Sequence, residues 1–224
     1  MWSLLDQYQD PVLNVELMLY EKEGQFMIRA NGWELMTTLA YYTEQEIVTA
    51  AFTGSEPFTG HCLVGGLGIG FTLQSVLKKS TPMAKVTVSE LSPAVIHWAQ
   101  TYWGHLIPGC LEDQRVNLQC IDVGEVIRRG RESYDRIILD VDNGPQALSA
   151  NSNAWLYETD GLRQIRVALK KDGLVAFWSA FDSIEFEAAL KQAGFAVSKQ
   201  HVPVGIKQGL LHTFYLGRRI LSSE

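Results

Sequence analysis

The chain has 224 residues, 46% of them hydrophobic and 20% charged, a composition that excludes a disordered chain. At about 150 residues per domain this length holds one main domain and a small appendage. A formal charge of −6 gives no basic footprint for nucleic acid.

The first fifty residues read as a small antiparallel meander followed by a helix. Val15 to Tyr20 and Gln25 to Ala30 are predicted strands around the turn Glu21-Lys22-Glu23-Gly24. Asn31-Gly32 is a hairpin-turn dipeptide, and Trp33 to Thr37 is the third strand. A helix is expected from Thr43, with Glu46 as its capping-box partner, ending at Gly54. This sets a boundary between residues 1–54 and 55–224.

From there strands and helices alternate. The predicted strands are His61–Val64, Lys85–Glu90, Val116–Cys120, Arg136–Asp140, Leu174–Trp178, Ala196–Val202 and Leu210–Leu216. The predicted helices are Phe71–Lys79, one opened by Ser92-Pro93, one from Asp122 through Arg129, Tyr157–Lys170 and Ser183–Ala193. Such alternation implies an open parallel sheet with helices on both faces. The most apolar strand, Arg136–Asp140, should be central. The last two strands have no helix between them and must pair antiparallel.

In an open α/β sheet, ligands bind at the carboxyl ends of the strands. The first strand runs into Gly65-Gly66-Leu67-Gly68-Ile69-Gly70, the second ends in Glu90, the third leads to Asp122, and the fourth leads to Asp140-Val141-Asp142-Asn143-Gly144-Pro145. A glycine turn lets backbone approach a ligand beside a helix N-terminus. Glu90, at the next strand end, is placed to accept ribose hydroxyls. Asp122 is placed to accept from an adenine amino group, and also reads as an ordinary N-cap. Together they point to an adenine nucleoside. The dinucleotide fingerprint would need glycine where Phe71 stands, and Gly70 is not followed by the Lys of a phosphate loop. A nicotinamide-dependent oxidoreductase is therefore a minor alternative.

The pattern G-x-G-x-G after a strand, an acid ending the next strand and a terminal antiparallel pair resembles the S-adenosylmethionine-dependent transferase fold. The expected architecture is α/β: a Rossmann-like seven-stranded transferase fold with a small N-terminal antiparallel β extension. Within that fold the chain resembles the spermidine synthase (polyamine aminopropyltransferase) family. The carrying residues are Asn31-Gly32-Trp33-Glu34-Leu35-Met36-Thr37, Leu63 to Gly70, Val88-Ser89-Glu90-Leu91, Tyr134 to Asp140, and Gly144-Pro145. The resemblance implies that Gly65, Gly66, Gly68, Gly70, Glu90, Leu91, Asp122, Val123 and Asp140 bind the donor. It also implies that Asp140 stands at the reaction centre.

Three departures stand out. The synthases have an acid inside the glycine turn, where this chain has Ile69. Their Tyr-His-Glu run aligns with Glu44-Gln45-Glu46, and a polar Gln of their meander aligns with Leu35. An ammonium-bearing donor calls for a carboxylate, so Ile69 tips the reading toward methyl transfer from S-adenosylmethionine to a small amine-type acceptor. The alternatives are aminopropyl transfer from decarboxylated S-adenosylmethionine to a polyamine, and a non-catalytic nucleoside-binding module. The transferase readings are told apart from the non-catalytic module by whether the space beside Asp140 is open and acid-lined or plugged by Trp155 and Trp178.

A sulfonium already activates its substituents, so the protein's task is to align a nucleophile. Asp140 or Asp142 would accept the proton of an amine, although Asp142 and Asn143 also suit a plain turn. Asp142, Asn143, Trp155 and Trp178 are the expected acceptor-binding residues, the tryptophans as aromatic walls for a cation. Trp98, Tyr102 and Trp103 read as packing, His61, His201 and His212 as structural or surface residues, and Arg128, Arg129 and Arg131 as solvated helix ends. No metal-ligand spacing occurs among the histidines, or among Cys62, Cys110 and Cys120. Reduced thiols, no apolar run near ~18–20 residues and no leader pattern suggest a cytoplasmic protein. The family resemblance implies a homodimer.

Overall fold

The structure is a computed structural model, and it describes residues 1–11, 14–39, 41–140, 154–204 and 211–220. Eleven strands form two sheets among these residues. The small sheet has the order β1(Ser3–Asp10), β2(Val15–Lys22), β3(Gln25–Ala30), β4(Trp33–Thr37), all antiparallel. The three expected strands are present. The first, β1, was not anticipated, because its apolar and polar residues do not alternate cleanly and only Asp10 is buried.

Helix α1(Tyr42–Phe52) follows. It starts without the expected capping box: the helix begins one residue earlier, with Tyr41 at the cap position and no side-chain cap, so Thr43 lies inside the first turn. The large sheet is built from β5(His61–Gly65), β6(Lys85–Glu90), β7(Val116–Cys120), β8(Tyr134–Leu139), β9(Leu169–Ser179), β10(Phe195–Pro203) and β11(Leu211–Arg219). Its order is β10-β11-β9-β8-β5-β6-β7. The apolar strand β8 is central as expected, and β10 and β11 pair antiparallel. The crossovers carry α2(Phe71–Lys79), α3(Pro93–Trp98), α4(Val123–Arg129), α5(Thr159–Ala168) and α6(Ile184–Gln192).

Two apolar layers cover the sheet because successive strand residues point to opposite faces. In β8, Ile138 belongs to one layer, Ile137 and Leu139 to the other. The first layer joins α1, α2, α3 and the small sheet in one continuous core, running from Leu17 and Ile28 through Phe52 and Val76 to Trp98 and Trp103. The second joins α4, α5 and α6. α3 continues as a π-helical turn over Ala99–Trp103, which keeps Trp98 and Trp103 both fully buried. The Trp98 indole donates to Asp6 of β1 at 2.7 Å, tying the small sheet to the large domain.

α1 belongs with the large sheet in packing, although the boundary at residue 54 puts it with the meander. It contacts α2, β8, β9 and β11. Its C-terminal end is anchored by Arg136, a buried side chain of the central strand, which donates to the Ala51 carbonyl at 2.8 Å. Ser92 begins α3 in an extended conformation with Pro93 following. Its backbone amide, not its hydroxyl, makes the local contact, by donating to Glu90.

Candidate active site

The carboxyl edge of the parallel strands gathers the predicted residues. After β5 the chain turns through Gly66, Gly68 and Gly70, all with positive φ, at 90°, 54° and 98°. L side chains rarely adopt that region. Gly70 is doubly constrained: a Cβ there would lie 2.5 Å from Ile107 Cδ1.

The turn is locked to the neighbouring strand. The Gly66 amide donates to the Ser89 carbonyl at 2.8 Å. Glu90 is buried at the end of β6, and its two carboxylate oxygens accept from the amides of Leu67 at 2.9 Å and Ser92 at 2.8 Å. Burial raises its carboxyl above the usual range, and the backbone amides of Ser92, Leu67, Gly68 and Leu91 oppose that shift. The acid expected to read a ribose is therefore also the buckle of the glycine turn.

Asp122 caps α4 as expected, accepting from the Glu125 amide at 3.2 Å. Val123 is buried in the first turn of α4, and Leu91 is half-buried after β6. Trp155 stands at this corner, against the first turn of α4. Its ring lies so close to Gly124 that a Cβ there would sit 2.3 Å from it, and Gly161 makes room for its carbonyl. The Arg128 guanidinium covers the same ring at 4.7 Å and lies 3.8 Å from Asp122. Arg128 is thus part of the corner and not a free helix end.

Trp178 ends β9 on the opposite face of the sheet, packed against the first apolar layer. Its indole donates to Thr43 Oγ1 of α1 at 3.2 Å. His212 of β11 stands 3.3 Å from the same hydroxyl and edge-on to the Trp178 ring, centroids 4.3 Å apart. Burial lowers the His212 pKa and keeps the ring neutral. The two tryptophans expected to wall one pocket therefore stand on two different sides of the site.

Asp140 follows the central strand between these corners, its amide bonded to the Gly65 carbonyl at 3.2 Å. Thr72 Oγ1, in the first turn of α2, lies 3.5 Å from Asp140 Oδ2. Burial pushes the Asp140 carboxyl up to about 6. Glu44, in the first turn of α1, is raised well above the usual carboxylate range by burial and then by the charge of Asp140. In the sequence Glu44 stands out only as a departure from the family pattern and Thr43 only as a helix start, and Thr72 carries no signal. Asp142, Asn143 and Gly144-Pro145 lie outside the described residues. Among the described residues, no group of three or more His, Cys, Asp or Glu side chains gathers as a metal site.

Comparison with known proteins now decides the family. The model of the spermine/spermidine synthase domain matches residues 42–211. The chain belongs to that family. It is 26% identical over 223 residues to polyamine aminopropyltransferase 1 of Streptomyces coelicolor, an alignment covering 88% of this chain and 39% of that protein. It is 29% identical over 188 residues to the polyamine aminopropyltransferase of Saccharolobus solfataricus, covering 83% and 60%. The chain thus spans between 39% and 60% of the length of these two relatives. Spermidine synthase from Thermotoga maritima superposes with a TM-score of 0.74 at 17% identity, over 98% of this chain and 73% of that one. A spermidine synthase in complex with the transition state analogue AdoDATO gives 0.73 at 17% identity. The α/β sheet with its N-terminal antiparallel extension is the spermidine synthase fold.

Proposed function

We propose that this chain transfers an aminopropyl group from decarboxylated S-adenosylmethionine to a primary amine of a small diamine or polyamine. Ile69 on its own favours methyl transfer; the family match and the aminopropyltransferase relatives favour the aminopropyl alternative. The observation that carries it in the structure is the acidic centre: Asp140 at the end of the central strand, bonded to Gly65 and beside Thr72, with the first turn of α1 and its Glu44 close enough for the two charges to act on each other. Polyamine substrates are cations, and carboxylates are their natural partners.

The chain's residues divide the work. The glycine turn and Glu90 hold the nucleoside, with Leu91, Asp122 and Val123 along its adenine side. The donor supplies a sulfonium whose substituent carbon is activated for displacement. Asp140 orients the attacking amine behind that carbon and accepts its proton. The C–N bond forms as the C–S bond breaks, and methylthioadenosine leaves. An Asp140 pKa near 6 leaves the carboxylate ionised at neutral pH. Trp178, held by Thr43, forms an aromatic wall on the acceptor side, where a cation benefits from a ring face. Trp155 serves the nucleoside side instead. Asp142 and Asn143 complete the acceptor site in this reading.

No helix among the described residues is long and apolar enough to cross a membrane. Free Cys62, Cys110 and Cys120 support a cytoplasmic location. Exposed Trp33 and Leu35 on the edge strand β4 support a homodimer through the small sheet.

Calorimetric titration with both donors tests the proposal. Decarboxylated S-adenosylmethionine is expected to bind at least ~10-fold more tightly than S-adenosylmethionine, whose extra carboxylate meets an acidic centre. Tighter binding of S-adenosylmethionine would favour methyl transfer and refute this reading.

A further inference from the structure

The donor of the proposed reaction carries a primary ammonium on its three-carbon arm. At the glycine-turn position where the synthases resembled by this chain carry an acid, Ile69 is a fully buried part of the apolar core. An ammonium brought into a buried site needs a carboxylate partner, so the charge has to come from another element.

The facing element is α1, and it is clamped at both ends. Arg136 holds the Ala51 carbonyl, while Trp178 and His212 hold the Thr43 hydroxyl. Tyr41, just before the helix, packs its ring on Phe71 at 5.3 Å. Phe71 is the first residue of α2, two positions after Ile69. The opening turns of α1 and α2 therefore meet beside the glycine turn, where α2 presents Thr72 to Asp140.

Glu44 follows Thr43 in this clamped turn. Among the described residues its carboxylate has no ion-pair or hydrogen-bond partner, and the charge that acts on it is that of Asp140, of like sign. Two half-buried carboxylates brought near each other where the opening turns of α1 and α2 meet repel, and a cation received by both removes the repulsion.

We propose that Glu44 is the relocated ammonium-binding acid, which with Asp140 receives the primary ammonium of the donor's propylamine arm from α1 instead of from the glycine turn. The proposal rests on the aminopropyl reading above and names the group that makes it workable despite Ile69. Aminopropyl chemistry is thus kept by exchanging the element that carries the charge.

The test compares Glu44→Gln with the natural chain by calorimetry, using decarboxylated S-adenosylmethionine and methylthioadenosine. The two ligands share the nucleoside, and only the first has the ammonium. Glu44→Gln is expected to weaken the donor about 10- to 100-fold and to change methylthioadenosine less than about 2-fold, which also reports that the variant is folded. An unchanged donor affinity, or equal weakening of both ligands, overturns the proposal. Failure of the underlying reading looks different: there the natural chain itself binds S-adenosylmethionine as tightly as the decarboxylated donor. The ligand-free Glu44→Gln protein is also expected to gain in melting temperature over the natural chain as the pH rises, because a buried, repelling charge is gone. A lower melting temperature contradicts the unpaired-charge premise.

Discussion

The nucleoside edge of the site and the α1 edge are held together in different ways. At the nucleoside edge, Glu90 grips amides 23 and 2 residues away in sequence. At the α1 edge, Thr43 meets Trp178 and His212 across 135 and 169 residues. The first is a strand-end device that neighbouring backbone builds for itself. The second exists only once the sheet has closed and brought β9 and β11 under α1. On the proposed reading, a local device positions the donor, and a long-range one positions what faces its reacting arm.

The comparison predicts different kinds of damage. The largest effect is expected at the junction of the two edges. Asp140→Asn should lower turnover about 10²–10⁴-fold while methylthioadenosine affinity stays within a few-fold. Single-turnover rates beside calorimetry would check this, and loss of nucleoside binding would move Asp140 out of the reaction centre.

Glu90→Gln comes next. It places an amide group where two buried amides need acceptors, an unsatisfied arrangement costing about 1–3 kcal/mol. Donor and methylthioadenosine should weaken together, by about 10- to 100-fold. A defect restricted to turnover would contradict the buckle role.

Thr43→Val should be milder, because it removes one tether of α1 and leaves the Arg136 anchor. A fall of about 5-fold in kcat/KM for the acceptor, with nucleoside affinity intact, is expected from loss of the hydroxyl that Trp178 and His212 share. Equal weakening of the nucleoside would show that the edges are not separable.

The pH dependence follows from Asp140. Its pKa is raised in the fold from 3.8 to about 6, so the folded protein binds the proton more tightly than the unfolded chain. Stability in the ligand-free state should fall as pH rises from about 4 to about 6 through this group, by on the order of 3 kcal/mol, and stay lower above that. The kcat/KM profile should show an acid limb near pH 6, since the ionised form is the one that accepts the proton. Denaturant melts across this range and a rate profile read the two consequences separately.

The same contrast explains what could be read from the chain. The sheet, its central strand and its terminal antiparallel pair follow from short apolar runs separated by helical stretches. Glu90, Asp122 and Asp140 follow from their places at strand ends. Trp155 and Trp178 could be placed near the site but not on their sides of it, because side depends on β8, β9 and α4 packing together. The capping box at Thr43 fails because the helix starts one residue earlier, at Tyr42, which puts Thr43 inside the first turn and leaves its hydroxyl for Trp178 and His212. Glu44 was visible as a departure from the family pattern, yet its meaning needs the distance between two helices. β1 escaped because its alternation is weak at the sheet edge.

Incubation of the chain with decarboxylated S-adenosylmethionine and a short diamine, followed by chromatography and mass spectrometry of both product pools, tests the central claim most directly. The account predicts methylthioadenosine together with the diamine extended by one aminopropyl group. A methylated amine with S-adenosylhomocysteine, formed when S-adenosylmethionine replaces that donor and not otherwise, would contradict it.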